Sequence, residues 1–107
     1  MDLKILQEEV SIWALKNFGP TSGSGYQPLL GAVEEIGELA HAHLKQEQGI
    51  RNNENHLESK KDAVGDILIY LADYCGRQGF SIDECVEEAW KEVKQRDWTK
   101  NKIDGKK

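Results

Sequence analysis

The stretch LLGAVEEIGELAHAHL, Leu29–Leu44, decides the fold class of this chain of 107 residues. Its only side chains of fixed charge are Glu34, Glu35 and Glu38, although charged residues make up 31% of the whole sequence. A second stretch, Asp62–Cys75, has the same character, because its fixed charges are again all acidic and most of its other side chains are apolar. The sequence therefore predicts two long, largely apolar helices that both carry carboxylates.

The acids of each stretch share a helix face, since residues three or four apart lie side by side on a helix. The three glutamates do so in the first stretch, and Asp62 and Asp66 do so in the second, where Tyr70 and Asp73 continue the stripe. A carboxylate in apolar surroundings needs a cation, or its pKa rises until it is neutral. Neither stretch contains Lys or Arg. We therefore expect a divalent metal, and the all-oxygen donor set favours Mg²⁺, with Mn²⁺ also suitable.

The simplest alternative is a solvated acidic face opposite an apolar stripe. Such a face would mix Lys, Gln and Asn with the acids, and neither stretch has any of these residues. Glycine inside a helix costs about 1 kcal/mol relative to alanine, yet Gly37 and Gly65 stand inside the two predicted helices. This cost is explained if the two helices approach closely there, so the sequence predicts that the two acidic faces oppose each other.

The rest of the chain also has helical patterning. A Gly- and Ser-rich loop is expected at Gly19–Gly25 and a polar connection at Gln46–His56. Without strand alternation or repeats, the sequence predicts one all-α domain over residues 1–107. The predicted helices are Asp2–Asn17, Pro28–Lys45, Leu57–Arg77 and a fourth that starts at a Ser81/Glu84 capping box, continues to about Arg96 and turns Ile82, Val86, Ala89 and Val93 inward.

Composition excludes several classes of function. A net charge of −5 and a pI near 5.2 argue against binding nucleic acid through a basic surface. Met1–Val10 carries three acids without an apolar core, and no run approaches the ~18 apolar residues of a membrane span, so we expect neither a signal peptide nor a membrane protein. Cys75 and Cys85 fit reduced thiols in a cytoplasmic protein. Burial of the two apolar helices against a partner chain would reconcile them with a hydrophobic content of only 38%.

Two segments together resemble a known motif pair. Glu34–Ala40 (EEIGELA), followed after the polar connection by Asp62–Tyr70 (DAVGDILIY), resembles the MazG-like nucleotide pyrophosphohydrolases of the all-α NTP pyrophosphatase superfamily. The pattern of that family is EExxE, a variable gap and ExxD. Its members hydrolyse nucleoside triphosphates to monophosphate and pyrophosphate with Mg²⁺. The resemblance extends from Trp13 to Trp98 and implies a four-helix bundle-type fold completed by dimerisation, as a homodimer or homotetramer that clears unwanted nucleotides.

One departure from the family pattern concerns its second motif. The first acid of ExxD falls at Ala63, and the nearest acid is displaced by one residue to Asp62. Matching by position, the resemblance implies that Glu35, Glu38 and Asp66 are the core metal ligands and that Asp62 stands in for the displaced acid. Glu34 would hold a second cation or take the proton of the attacking water, which agrees with the ability of a carboxylate beside a metal-bound water to orient it.

Candidate substrate-binding residues have weaker patterns. Tyr70 matches a tyrosine that contacts substrate in some relatives, and a core or interface role is an equal alternative. Trp13 matches a position where relatives place a base-stacking aromatic, but it falls on the stripe of Leu6 and Val10, which favours core packing. The candidate contacts to the triphosphate are basic: Arg51 in the connection, and Lys94, Arg96 and Lys102 near the C-terminus, offered from a neighbouring subunit.

Two rival functions remain open. The first is a catalytically idle helical module that binds a nucleotide or metal, an interpretation that Ala63 favours. The second is a carboxylate-bridged di-iron protein, because Glu38 and His41 form an ExxH motif. Such bundles need a second ExxH motif, and the third predicted helix has none, so His41 and His43 are better interpreted as polar helix positions. The leading hypothesis is a Mg²⁺-dependent nucleotide pyrophosphohydrolase.

Overall fold

The structure is a computed structural model that describes residues 1–20 and 26–106, with the backbone alone described for Tyr26. These residues form helices and no strand, which confirms the all-α prediction. The predicted loop at Gly19–Gly25 lies largely outside the described residues. The helices are α1 (Leu3–Phe18), α2 (Tyr26–Gln48), α3 (His56–Gln78) and α4 (Ile82–Val93).

Local signals in the sequence account for where the helices start. The carboxylate of Asp2 accepts a hydrogen bond from the backbone N–H of Ile5 at 2.8 Å, and Asn55 caps α3 by accepting from Glu58 at 3.1 Å. The hydroxyl of Ser81 accepts from the N–H of Glu84 at 3.3 Å, so the predicted cap of α4 is confirmed.

Two helix ends differ from their predictions. Helix α2 continues to Gln48, beyond Lys45, and stops where Gly49 takes a left-handed conformation (φ 68°). Helix α4 ends at Val93, short of Arg96. The reason is the turn that follows, in which the N–H of Arg96 donates to the carbonyl of Val93, three residues back, and the N–H of Asp97 donates to the carbonyl of Gly105. The hydrogen bonds between residues four apart that define an α-helix therefore stop there.

Helices α2 and α3 form an antiparallel pair, in which Gly31 near the start of α2 meets Tyr70 in the second half of α3, and α1 also packs on α3. Among the described helices, α2 touches α3 alone. Both cysteines are free thiols, and burial raises the pKa of Cys75. The core lies between α1, α3 and the start of α4, where Val10, Ala72, Cys75 and Ile82 are buried and Leu3, Leu6 and Leu71 pack around them.

The predicted inward stripe of α4 is wrong for the single chain. Ile82 is 4% exposed, but Val86 and Val93 are about half exposed, and Ala89 is also at the surface. The physical reason is that α4 makes few contacts with α1 and α3, and Ile82, its first residue, is the one that joins the core. The apolar stripe is real, but the described part of this chain does not cover it.

The glycines that permit close packing were also predicted incorrectly. A Cβ atom at Gly37 or Gly65 would meet nothing within 4 Å, so neither residue marks a close approach of helices. At Gly31, by contrast, a Cβ atom would collide with the ring of Tyr70. Gly31 therefore lets the aromatic ring of α3 lie directly on the backbone of α2, and this contact sets the register of the helix pair.

Candidate functional site

The register brings the predicted acids together around Glu35. Tyr70 lies against Gly31, and one helical turn further along the pair Asp66 faces Glu35. Burial raises the pKa of Glu35, and the nearby charges of Asp66, Glu38, Glu34 and Asp62 raise it further, in that order. The structure therefore unites two sequence stretches into one acid cluster, defined as Glu34, Glu35, Glu38, Asp62 and Asp66.

This acid cluster has no cationic partner in the described part of the chain. The ion pairs there join His41, His43, Arg51, Arg77, Arg96 and Lys100 to acids elsewhere. Five carboxylates that repel one another lower the stability of the folded state unless a cation joins them. The carboxylates that have no Lys or Arg near them in the sequence therefore also have none paired with them in the described part of the fold.

The side chains of the acid cluster are oxygen donors, the ligand type that Mg²⁺ prefers. Within residues 1–20 and 26–106, no group of three or more His, Cys, Asp or Glu side chains is arranged so that it could hold a metal ion. Mg²⁺ keeps several water ligands and commonly binds protein through one or two carboxylates. Glu35 and Asp66, which face each other across the helix pair, are the donors around which such a site can form. Rotamer changes would then bring in Glu38.

The displaced acid of the second motif has a clear structural position. Ala63 lies one turn before Asp66 on the same face of α3. It is 2% exposed. Asp62 is exposed, and its charge has the smallest of the four effects on the pKa of Glu35. The position where the resembling family carries an acid therefore faces α2, whereas Asp62 stands at the outer edge of the acid cluster.

Next to the acid cluster lies a cleft that we call the aromatic cleft. Trp13 is 52% exposed and meets Phe18 edge to face, with 5.6 Å between ring centroids. The interpretation of Trp13 as a core residue is therefore wrong, because α1 turns Val10 and Ala14 toward the core instead. The aromatic cleft has a volume of about 230 Å³ and is lined by Val10, Trp13, Phe18, Glu35, Asp66, Ile69, Tyr70 and Asp73.

A second hollow of about 190 Å³ adjoins the aromatic cleft and contains an ion pair. The Nε of Arg77 donates to Oδ1 of Asp73 at 2.7 Å, and its Nη1 donates to the carbonyl oxygen of Gly19 at 3.3 Å. Both side chains of the pair are nearly buried, at 11% and 12% exposure. The hollow is lined by Phe18, Gln27, Pro28, Gly31, Glu34, Tyr70, Asp73 and Arg77, three of which also line the aromatic cleft.

Sequence reasoning missed Phe18 and Arg77 and gave Asp73 no role beyond the acidic stripe. The i,i+4 spacing of Asp73 and Arg77 was an available signal for an ion pair. Phe18 had no such signal, because its position depends on where α1 ends relative to α3. Tyr70 lines both hollows, which is compatible with the predicted substrate contact and also with its packing against Gly31.

The four basic candidates do not line the aromatic cleft formed by the described residues. Arg51, with φ 54°, lies in the α2–α3 connection beside Glu54 at 3.9 Å. Lys94 and Lys102 are exposed beyond α4. Arg96 pairs with Glu92 at 3.6 Å and lines a separate hollow of about 410 Å³. In one chain these residues therefore lie apart from the acid cluster.

Comparisons with models of known families, with curated proteins and with solved structures found no match for the chain. Across the described part of the chain, none of the helices combines the length and the apolar character needed to cross a membrane.

Proposed function

We propose that this chain is a Mg²⁺-dependent nucleoside triphosphate pyrophosphohydrolase, which releases a nucleoside monophosphate and pyrophosphate. The observation that carries the proposal is the position of Glu35. It lies among four other carboxylates from two helices, without a cationic partner in the described residues, and it also lines the aromatic cleft. A metal-binding end beside an aromatic end suits a ligand that has polyphosphate at one side and a planar base at the other.

In this proposal Glu35, Glu38 and Asp66 hold Mg²⁺, with Asp62 at the edge of the site. When bound, the metal neutralises phosphate charge and lowers the pKa of a coordinated water. Glu34 accepts the proton of the attacking water. It is suited to this role because it belongs to the acid cluster and also lines the adjoining hollow, where it stays exposed.

The aromatic cleft accommodates the base. A volume of about 230 Å³ fits a nucleobase better than a whole nucleotide, so the sugar and phosphates extend toward the acid cluster. Trp13 presents a half-exposed ring for stacking, a contact worth about 1–3 kcal/mol per base. Phe18 supports that ring from its edge, and the Tyr70 hydroxyl is available to the sugar.

The active unit is a homodimer or homotetramer in this proposal. Within the described part of the chain, α2 packs on no helix but α3, and its Leu30, Val33 and Ile36 are more than half exposed. Val86, Trp90 and Val93 of α4 are exposed at about half of their surface or slightly more. A second copy would cover these faces and bring its basic residues, Arg51, Lys94, Arg96 and Lys102, toward the triphosphate. Sedimentation or light scattering tests this expectation, and a strictly monomeric active enzyme would refute it.

The direct test of function is a product assay over all common NTPs and dNTPs with Mg²⁺ and with EDTA. We expect stoichiometric monophosphate and pyrophosphate, formed only with the metal. Release of inorganic phosphate alone would indicate a different reaction. Binding without turnover would favour the idle module, the alternative that Ala63 supports. Iron content with visible absorbance would instead favour the di-iron alternative.

Metal should stabilise the protein independently of any substrate. Because Mg²⁺ would relieve the repulsion within the acid cluster and bind the native state, the melting temperature should rise with metal concentration and return with EDTA. At one hundred times Kd the expected gain is about 2.7 kcal/mol. NaCl at matched ionic strength is the control for general screening. An identical melting curve in Mg²⁺ and in that control would contradict the metal site.

A further inference from the structure

The most constrained polar group of the aromatic cleft is the carboxylate of Asp73. It is 9% exposed and lines both the cleft and the adjoining hollow. Arg77 holds its Oδ1 at 2.7 Å and is itself anchored on the carbonyl of Gly19. The other carboxylate oxygen of Asp73, Oδ2, has no hydrogen-bond partner among the described residues. Asp73 is thus a residue that the two hollows share, it also lines a third hollow of about 190 Å³, and the bond to Arg77 restricts the motion of its carboxylate.

The position of Asp73 relative to the other polar groups assigns it to the base. The carboxylates that line the aromatic cleft are Glu35, Asp66 and Asp73. The first two belong to the acid cluster, which the metal and phosphates would occupy. A planar base against Trp13 must direct one edge toward the cleft wall, and Asp73 is the carboxylate that remains to meet it.

We propose that Asp73 is a specificity-determining residue that favours bases with an exocyclic amino group, such as cytosine and adenine, over their keto counterparts uracil and hypoxanthine. The inference rests on the proposed function, because it concerns the base of the same substrate. A carboxylate oxygen accepts a hydrogen bond from an amino group and repels a carbonyl oxygen at that place. Hydrogen bonds to charged groups are strong enough for a discrimination of about ten- to a hundredfold.

Arg77 acts as a positioning residue. Without its Nε donor, the Asp73 side chain could rotate within the space shared by the two hollows, and the amino group would lose a fixed acceptor. Preorganised polar groups discriminate more strongly than mobile ones, because the unfavourable ligand leaves them unpaired in a site that cannot relax.

The test uses neutral nucleosides in EDTA, which need neither metal nor phosphate contacts. Cytidine against uridine, and adenosine against inosine, are two pairs in which an amino group is exchanged for a carbonyl. Titrations followed by the Trp13 indole resonance should show at least about tenfold tighter binding of cytidine and adenosine. Equal affinities within both pairs, or no binding of any of the four nucleosides, would overturn the inference for the wild-type protein, whatever the variants do.

The Asp73→Asn variant assigns the selectivity to this side chain. An amide offers both a donor and an acceptor, so the cytidine-to-uridine ratio should fall toward one while Trp13 still reports binding. Asp83→Asn, the same chemical change at an exposed position of α4, should keep the wild-type ratio. In a folded Asp73→Asn protein, an unchanged ratio would show that another residue contacts the base edge.

Failure of this inference and failure of the proposed function give different results. The protein could prefer amino-bearing nucleosides and yet release no pyrophosphate from any triphosphate with Mg²⁺. That result would refute the hydrolase and support the base site. Pyrophosphate release with equal nucleoside affinities would refute the role of Asp73 alone. For Arg77→Gln, a reduced cytidine-to-uridine ratio with an unshifted indole signal in the free protein supports positioning, and an unaltered ratio opposes it.

Discussion

Glu35→Gln should reduce pyrophosphate release by more than about a hundredfold, because substituting a residue that only supports a metal ligand can already cost that much activity. The same substitution should make the metal-free protein more stable. Glutamine keeps the shape of the side chain and removes the charge that Mg²⁺ needs. The same charge repels Asp66, Glu38, Glu34 and Asp62 in the folded protein. Removing it therefore relieves repulsion that the unfolded chain largely lacks.

The opposite signs of these two effects make the prediction specific to a functional site. Thermal melts in EDTA and a pyrophosphate assay in Mg²⁺ measure them on the same preparation. Glu87→Gln, on the exposed surface of α4, is the matched control and should change neither quantity appreciably. Wild-type activity in Glu35→Gln would exclude this acid as a ligand, and a lower melting temperature in EDTA would show that Glu35 stabilises the fold by other contacts.

Of the substitutions considered for the acid cluster, Ala63→Glu should lower the free energy of unfolding most, by about 3 kcal/mol in EDTA, because it buries an unpaired carboxylate. Ala63 is 2% exposed and lies one turn before Asp66 on the same face of α3, so the new charge would also lie beside an acid. If the acid cluster holds metal, the new side chain becomes an additional ligand. Mg²⁺ should then raise the melting temperature of this variant more than that of the wild type.

Two further variants serve as controls for the Ala63→Glu result. Ser59→Glu introduces the same side chain at an exposed position in the first turn of α3 and should behave like the wild type in EDTA. Asp62→Asn should raise the Mg²⁺ concentration for half-maximal activity only a few-fold, since Asp62 has the weakest influence on Glu35. Destabilisation of Ala63→Glu without any additional recovery in Mg²⁺ would mean that this face of α3 is a packing surface alone.

The sequence predicted the helices because their determinants are local. The Ser81 cap is set by residues within a single turn, and the acidic faces by residues three or four apart. The helix ends were less accurate, since the end of α4 depends on a hydrogen bond from the backbone N–H of Asp97 to the carbonyl of Gly105, eight residues further along. The composition of the acid cluster was likewise accessible, because the same spacing that puts Glu35 beside Glu38 is present in any helix.

The sequence by itself determined an all-α chain with two acidic helix faces in apolar surroundings. The tertiary structure decided how each helix is rotated about its axis, and that rotation settles which side chains meet. It put Trp13 in a cleft instead of the core, made Gly31 the close contact in place of Gly37 and Gly65, and turned Ala63 toward α2. It also joined Arg77 to Gly19, 58 positions apart in the chain. The rotation of a helix about its axis depends on the packing energy between segments that are distant in the chain, and the local spacing of apolar residues carries no information about that energy.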